Sequence, residues 1–280
     1  MLKEDALTTH SRKTILIVAL LTLFAGVPPA AAQDEDAEVI PPAQPDFTLI
    51  ALPTGMRVPL HKSAFRVTHR FLRPLGDGDF GDLLGDAFGL DSGAQIGLEY
   101  RYGLFQGTQV GIHRTSDKTI ALFTEYSVFR QHPGMPVAIG VWGSIDGTNN
   151  FQDSYSPAIG AVVTRLVGQY AAFYIEPIWV NNSHPDPSKL VDHNDTFMLG
   201  LSTRLRVRPT VYVVGEWVPR LAGYDPGVDH GSVAIEKRLG GHVFQLNFSN
   251  SIGTTMSQIA RGGFTNDNWY LGFNISRKFY

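Results

Sequence analysis

The chain has 280 residues, with 23 lysines and arginines against 26 aspartates and glutamates, a formal charge of −3 and no cysteine. The slightly acidic balance gives no footing for a nucleic-acid partner, and the missing cysteines exclude a disulfide framework.

The first 32 residues read as a secretory signal peptide. Lys3, Arg12 and Lys13 precede an apolar run, Ile15 to Gly26, and small residues follow with Ala30 and Ala32 in the spacing of a cleavage site. The apolar run is shorter than the roughly 20 residues a spanning helix needs. Cleavage near Ala32 leaves 20 basic and 24 acidic residues, a charge of −4. Nothing downstream is apolar and long enough to form a transmembrane helix, so export to an envelope compartment is expected without an α-helical anchor.

Residues 33–60 start with "QDEDAEVIPPAQPDF" and continue with Pro53 and Pro59, which predicts an extended, acidic and Pro-rich periplasmic segment and leaves open whether it enters the lumen as a plug. From residue 61 the hydrophobic period is two almost to the end. Twelve strand segments are cut from it, near 63–72, 94–102, 107–114, 118–130, 136–145, 157–167, 171–180, 195–208, 210–220, 231–239, 242–250 and 268–280. Most are longer than the five or six residues usual in soluble proteins, and they match the roughly 9–11 of a tilted transmembrane strand.

The connections alternate in length. "RPLGDGDFGDLLGDAFGLDSG" is followed by "GLFQ", "NNSHPDPSKLVDHN" by Pro209 alone, and "LAGYDPGVDH" by "GG". Only "TSD" is short where the alternation wants length. Long loops at one rim and tight turns at the other define an outer-membrane barrel, with the turns on the periplasmic side. The expected architecture is all-β: a closed antiparallel up-and-down transmembrane β-barrel of about 12 strands over residues 61–280.

Within the strands one parity is apolar and the other polar, small or charged. Ile96, Leu98, Tyr100 and Tyr102 alternate with Gln95, Gly97, Glu99 and Arg101, and Phe244, Leu246 and Phe248 with Gln245, Asn247 and Ser249. In a bilayer the apolar parity faces lipid and the barrel must close, because an unpaired sheet edge leaves unsatisfied backbone groups in hydrocarbon. Aromatics near segment ends, such as Phe71, Tyr102, Phe129, Trp179 and Trp217, suit interfacial girdles.

The stretches "FRVTHRF", "FGLDSGAQIGLEYRYG", "TQVGIHRTSDKT" and "WYLGFNISRKFY" resemble a family of bacterial β-barrel proteins known only as a domain of unknown function. The resemblance runs from about Leu52 to Tyr280. It implies the barrel fold and brings no substrate or catalytic residue.

Charged residues on the inward parity are the candidate site. Arg66, Arg70, Glu99, Arg101, Glu125 and Glu176 lie in the first seven strands, and Arg204, Arg206, Glu216, Glu236 and Arg238 follow. They read either as the walls of a polar pore that selects solutes or as cross-strand ion pairs that fill the interior. The functional expectation is a small porin-like channel for polar solutes in the outer membrane of a Gram-negative-type bacterium. The alternative is a non-conducting barrel that anchors or receives a partner through its outer loops.

A barrel-embedded hydrolase needs a Ser/His pair on one exposed face. In "HRTS" the residues His113 and Ser116 have opposite parity, so the expectation is no enzymatic activity. The outer-loop residues His184, Asp186, Asp192, His193 and Asp195, and Asp225, Asp229 and His230, match no tight metal-ligand spacing. Asp77, Asp79, Asp82 and Asp86 lack the closing Glu of a helical calcium loop, and the loop reads instead as a short amphipathic turn around Phe80, Leu83, Leu84 and Phe88. No cofactor is expected. The partners are the bilayer, the barrel-assembly machinery and a small polar solute.

The chain ends on an alternation in which Trp269, Leu271, Phe273, Ile275 and Phe279 share the lipid-facing parity, with Tyr280 one residue beyond. It looks like the C-terminal signal by which outer-membrane barrels are recognised for insertion. Arg277 falls on the same parity and is expected to snorkel to the rim.

Overall fold

A computed structural model describes residues 40–86, 89, 92–186 and 195–280. The stretch read as a signal peptide lies outside the described residues, as do Phe88, Asp192 and His193.

Strands β1 (Ser63–Pro74), β2 (Ala94–Phe105), β3 (Thr108–Thr115), β4 (Ile120–Phe129) and β5 (Ala138–Gly147) lead into β6 (Asp153–Val167), β7 (Ala171–Val180) and β8 (Thr196–Arg208). β9 (Val211–Val218) is followed by a short β10 (Arg220–Ala222), then β11 (His230–Leu239), β12 (His242–Ser249) and β13 (Tyr270–Phe279). Every pairing is antiparallel. β1 pairs with β13, setting Phe65 opposite Arg277, Val67 opposite Ile275 and His69 opposite Phe273, so the sheet closes on itself. Twelve strands form the wall.

The extra strand, β10, continues the ninth. Pro219 has no N–H to give, so β9 stops at Val218, and β10 resumes pairing with β8 beyond the proline. Reading 210–220 as one uninterrupted strand missed this break.

The pleat sorts the two faces. Ile159 and Ile235 are 60 % and 59 % exposed on the outside, whereas Arg70 and Glu236 are each 1 % exposed within. Large apolar side chains outward and charges inward reverse the soluble arrangement and suit a wall set in lipid. One rim carries the start of β1 and the end of β13 and is joined by tight turns. Three of these are Gln106-Gly107, Pro209-Thr210 and Gly240-Gly241. The longer connections meet at the opposite rim.

The interior is itself two-sided. Around β6 to β9 the inward positions include Val162, Ala172, Tyr174, Ile178, Met198 and Val214, all fully buried. The strict apolar/polar alternation therefore fails on this side: β7 is apolar on both faces apart from Glu176. Those positions are apolar because what they meet is peptide rather than water.

Candidate functional site

Two pieces of chain enter the barrel. From the terminal rim comes the segment Ala43–Val58, which the sequence reads as part of an extended periplasmic leader. It is folded inside the barrel. Thr48 bridges Pro53, the Leu49 N–H donates to the Leu52 carbonyl at 2.9 Å, and the Thr54 N–H donates to the Phe47 carbonyl at 2.9 Å. The result is a tight hairpin with Ile50 and Ala51 at its tip. From the other rim the β12–β13 connection folds inward through a short helix, Met256–Ala260. Ile259 and Ala260 join Leu49, Ile50 and Leu52 in one apolar cluster.

A hairpin in a barrel has backbone groups that need partners, since an unpaired buried N–H or C=O costs as much as a lost hydrogen bond. Side chains of five strands supply them. The Glu216 carboxylate accepts from three consecutive backbone groups, Ile50 N at 2.6 Å, Ala51 N at 3.0 Å and Leu52 N at 3.1 Å. Arg204 Nη2 donates to the Thr48 carbonyl at 2.7 Å and Gln245 Nε2 to the Leu49 carbonyl at 2.9 Å. Asn274 Nδ2 and Arg70 Nη2 converge on the Ile50 carbonyl at 2.9 and 3.4 Å. Toward the rim, Lys278 Nζ lies 3.2 Å from Asp46 Oδ1, and Ser276 donates to the same carboxylate. Burial alone would raise the Asp46 carboxyl. Lys278, Ser276, Arg204 and the Phe47 N–H together outweigh burial and hold it below the usual carboxylate range.

The apolar side chains of "TLIALP" take the apolar half of the interior while its backbone takes the charged half. Close approach shapes the wall. A Cβ on Gly103 would stand 2.1 Å from the Pro59 carbonyl oxygen, and one on Gly200 would stand 2.7 Å from Leu52 Cδ1. At 103 the neighbour is backbone and only glycine lets the segment pass, whereas at 200 a larger residue would push the Leu52 side chain aside.

Of the eleven inward charges read from the sequence, nine are buried inside the barrel: Arg66, Arg70, Glu99, Arg101, Glu125, Glu176, Arg204, Glu216 and Glu236. They form local groups. Arg66 Nη2 meets Glu99 at 2.7 Å, Arg101 bridges Glu99 and Glu125, and Arg204 pairs with Glu236 at 2.8 Å. Arg206 and Arg238 share the inward parity but sit at the terminal rim, partly exposed, with Arg206 bonded to Pro209 O and Gln169. Asp46, Gln245, Asn274, Ser276 and Lys278 were missed as site residues. The signal was an apolar pentapeptide, Leu49 to Pro53, between prolines in an otherwise polar leader.

The other candidates resolve locally. Asp79 caps the helix Phe80–Gly85 in a capping box with Asp82, and Asp86 pairs with Arg73 at 2.7 Å. His184 stacks edge-on against Tyr224, Asp195 bonds Asn181, and buried His230 lies 3.8 Å from Glu216. Among the described residues no three His, Asp or Glu side chains are placed to share a metal ion. His113 is buried inside the barrel, while the hydroxyl of Ser116 receives the Ile96 N–H. On the outer face His69 is stacked with Phe273 and tilted against Phe71. In the final strand Leu271, Phe273, Ile275 and Phe279 face outward, and Arg277 reaches His242 at the rim.

Closed strand order, inverted polarity and interior peptide together define a membrane-bound β-barrel. The family model described as "Membrane bound beta barrel domain (DUF5777)" matches residues 46–279, and the chain belongs to that family. The match starts at Asp46, so it takes in the hairpin as well as the wall.

A comparison with curated proteins found no match. Among solved structures, an outer membrane channel from Pseudomonas putida F1 is 10 % identical over 80 % of this chain and 97 % of its own, with a TM-score of 0.48. Outer membrane phospholipase A from Escherichia coli is 8 % identical over 88 % and 94 %, with a TM-score of 0.43. A mutant Rh. blastica porin is 10 % identical over 66 % of this chain and 55 % of its own, with a TM-score of 0.35, so the chain spans about half of that porin. Such distant likenesses carry no activity over to this chain.

Proposed function

We propose that this protein is an outer-membrane barrel whose interior is a passage for small polar solutes, closed by its own N-terminal hairpin. One observation carries the reading. The wall does not fill the barrel with its own side chains, because it leaves room for the Phe47–Thr54 hairpin, which belongs to no strand of the wall. If the hairpin withdraws, charged and amide side chains on β1, β8, β9, β12 and β13 become the lining of a polar lumen. The inward-folded β12–β13 connection narrows the passage from the other rim without spanning it. Gln258 Nε2 donates to Asp117 Oδ2 at 2.8 Å, Ser257 N to Asp146 Oδ2 at 2.9 Å and Arg261 Nε to the Ser183 carbonyl at 2.9 Å.

Export by the N-terminal signal, insertion by the barrel-assembly machinery through the C-terminal strand and residence in a Gram-negative-type outer membrane complete the proposal. The apolar cluster that ties the hairpin to the helix Met256–Ala260 favours a second reading, a permanently closed barrel that displays its loops. Planar-bilayer recording separates the two. Under the passage reading, deleting residues 40–58 from a protein that still shows heat-dependent gel migration produces stepwise conductance. Under the closed-barrel reading that variant stays silent.

A further inference from the structure

Between the hairpin and the inward connection lies a cavity of about 50 Å³. The hairpin borders it with Ala51 and Pro53, the inward connection with Thr254 to Met256, and the wall with side chains from β1 to β5. A buried water needs roughly 10–15 Å³, so the space takes about four waters or a solute of about five or six heavy atoms.

What distinguishes this space is the unused hydrogen-bonding capacity around it. Arg66 is buried and spends only Nη2, on Glu99; its Nε and Nη1 have no hydrogen-bond partner among the described residues. The same holds for Trp142 Nε1 and for the Ser144 and Thr254 hydroxyls. On the acceptor side, Asp146 uses Oδ2 on the Ser257 N–H and leaves Oδ1 without a partner, Glu125 Oε1 accepts no hydrogen bond, and His113 Nε2 is unpartnered as well. Each of these residues borders the cavity, and all but Ser144 are at least nine-tenths buried. Buried polar atoms in folded proteins are nearly always satisfied, so so many unmet groups around one space point to an occupant.

The chemistry of the occupant follows from the balance. The fixed N–H donors, two on Arg66 and one on Trp142, outnumber the two free carboxylate oxygens of Asp146 and Glu125, and the strongest donor is the guanidinium, which selects a carboxylate. Asp146 Oδ1 then asks for a donor on the same small molecule. Trp142 gives the space a flat apolar side, its indole held against Gly160, where a Cβ would stand 2.6 Å from the ring. We propose that this cavity binds a small carboxylate carrying an adjacent hydroxyl or ammonium group, with Arg66 on the carboxylate and Asp146 on the second group. The site deepens the passage reading by naming a solute class, but its occupancy does not require conduction.

Calorimetric titration of the full purified chain in detergent tests it, with glycine, lactate and propionate as probes. Glycine or lactate binds saturably and at least about tenfold more tightly than propionate; which of the two wins identifies the second group as ammonium or hydroxyl. Arg66→Gln weakens all three by about tenfold or more. Asp146→Asn lowers glycine or lactate affinity more than propionate affinity and so removes the preference, a pattern that general loss of structure does not produce. Folding of each variant is checked by heat-dependent gel migration. Absence of saturable binding in the folded wild-type chain, or wild-type affinity in folded Arg66→Gln, overturns the site and leaves a water-filled cavity. A protein that binds but stays silent in every bilayer experiment keeps the site and loses the passage. One that conducts without binding does the reverse.

Discussion

Arg204 and Glu236 form a two-point ion pair across β8 and β11, Nε to Oε2 at 2.8 Å and Nη2 to Oε1 at 2.9 Å, and the same Nη2 holds the Thr48 carbonyl of the hairpin. Both side chains are almost completely buried. Removing one partner of such a pair leaves an uncompensated charge, at about 3–5 kcal/mol, whereas replacing both by apolar residues of similar volume is often nearly neutral. Arg204→Met is therefore expected to lower stability by about that amount. Adding Glu236→Met restores most of the loss, read as the temperature at which gel migration shifts. Equal losses in the single and double variants contradict the pairing.

Glu216 is the anchor of the hairpin tip. Hydrogen bonds to a charged group are worth roughly 1.5–3 kcal/mol each, so Glu216→Gln weakens the hold on Ile50, Ala51 and Leu52 without emptying the site. Arg57 offers trypsin a cleavage point just before buried Val58. Cleavage there is expected to be slow in the wild-type chain and at least several-fold faster in the variant.

Glycine at position 103 is a steric requirement. Gly103→Ala places a methyl against the Pro59 carbonyl, a backbone atom with no rotamer to change. The variant is expected to form a barrel whose Arg57 site is open to trypsin. Protection equal to wild type contradicts the close approach.

Asp46 gives the hairpin a pH dependence of known sign. Its carboxyl is held below the usual range, against burial, by Lys278, Ser276, Arg204 and the Phe47 N–H. The stabilisation is thus complete above the unfolded carboxylate range and is lost as pH falls through the lowered value. Protection of Arg57 from a protease should persist through neutral and mildly acidic pH and fail only under strongly acidic conditions. In Asp46→Asn that acid step is smaller, with only the Glu216 carboxylate left to hold the hairpin backbone.

The closing strand bears on assembly. Phe279 is half exposed outward at the rim, with Arg277 lying over its ring at 5.8 Å. Deleting Phe279 and Tyr280 is expected to reduce the amount of heat-shifted barrel in the membrane fraction several-fold. Unchanged assembly contradicts the role given to the terminal aromatics.

Much of this molecule was legible in its sequence because a barrel wall is built from local signals. Period-two runs such as 94–102 and 242–250, and turns such as Gly240-Gly241, fix strands and connections without knowledge of distant partners. The need for closure was also legible, and β1 pairs with β13 because closure leaves the end strands no other choice. The hairpin was hidden because its partners are remote: Glu216 lies 166 residues from Ile50, and Asn274 lies 224. Its prolines and the acidic residues before it look like a solvated leader until the receiving side chains are known. Parity likewise placed Arg206 and Arg238 inward but could not say that each strand reaches the rim before they occur. The short turn after β3 broke the loop alternation; in three dimensions Asp117 of that turn receives Gln258 from the long inward connection.

The most direct test of the account uses the chain's lack of cysteine. Asp46→Cys with Ser276→Cys puts a bridgeable pair where the hairpin meets the closing strand, and no other thiol competes. In a planar bilayer the oxidised double variant should be silent, and adding a reductant should open stepwise conductance that re-oxidation closes. Silence under both conditions, in a protein whose gel migration shows an intact barrel, would contradict the hairpin-closed passage.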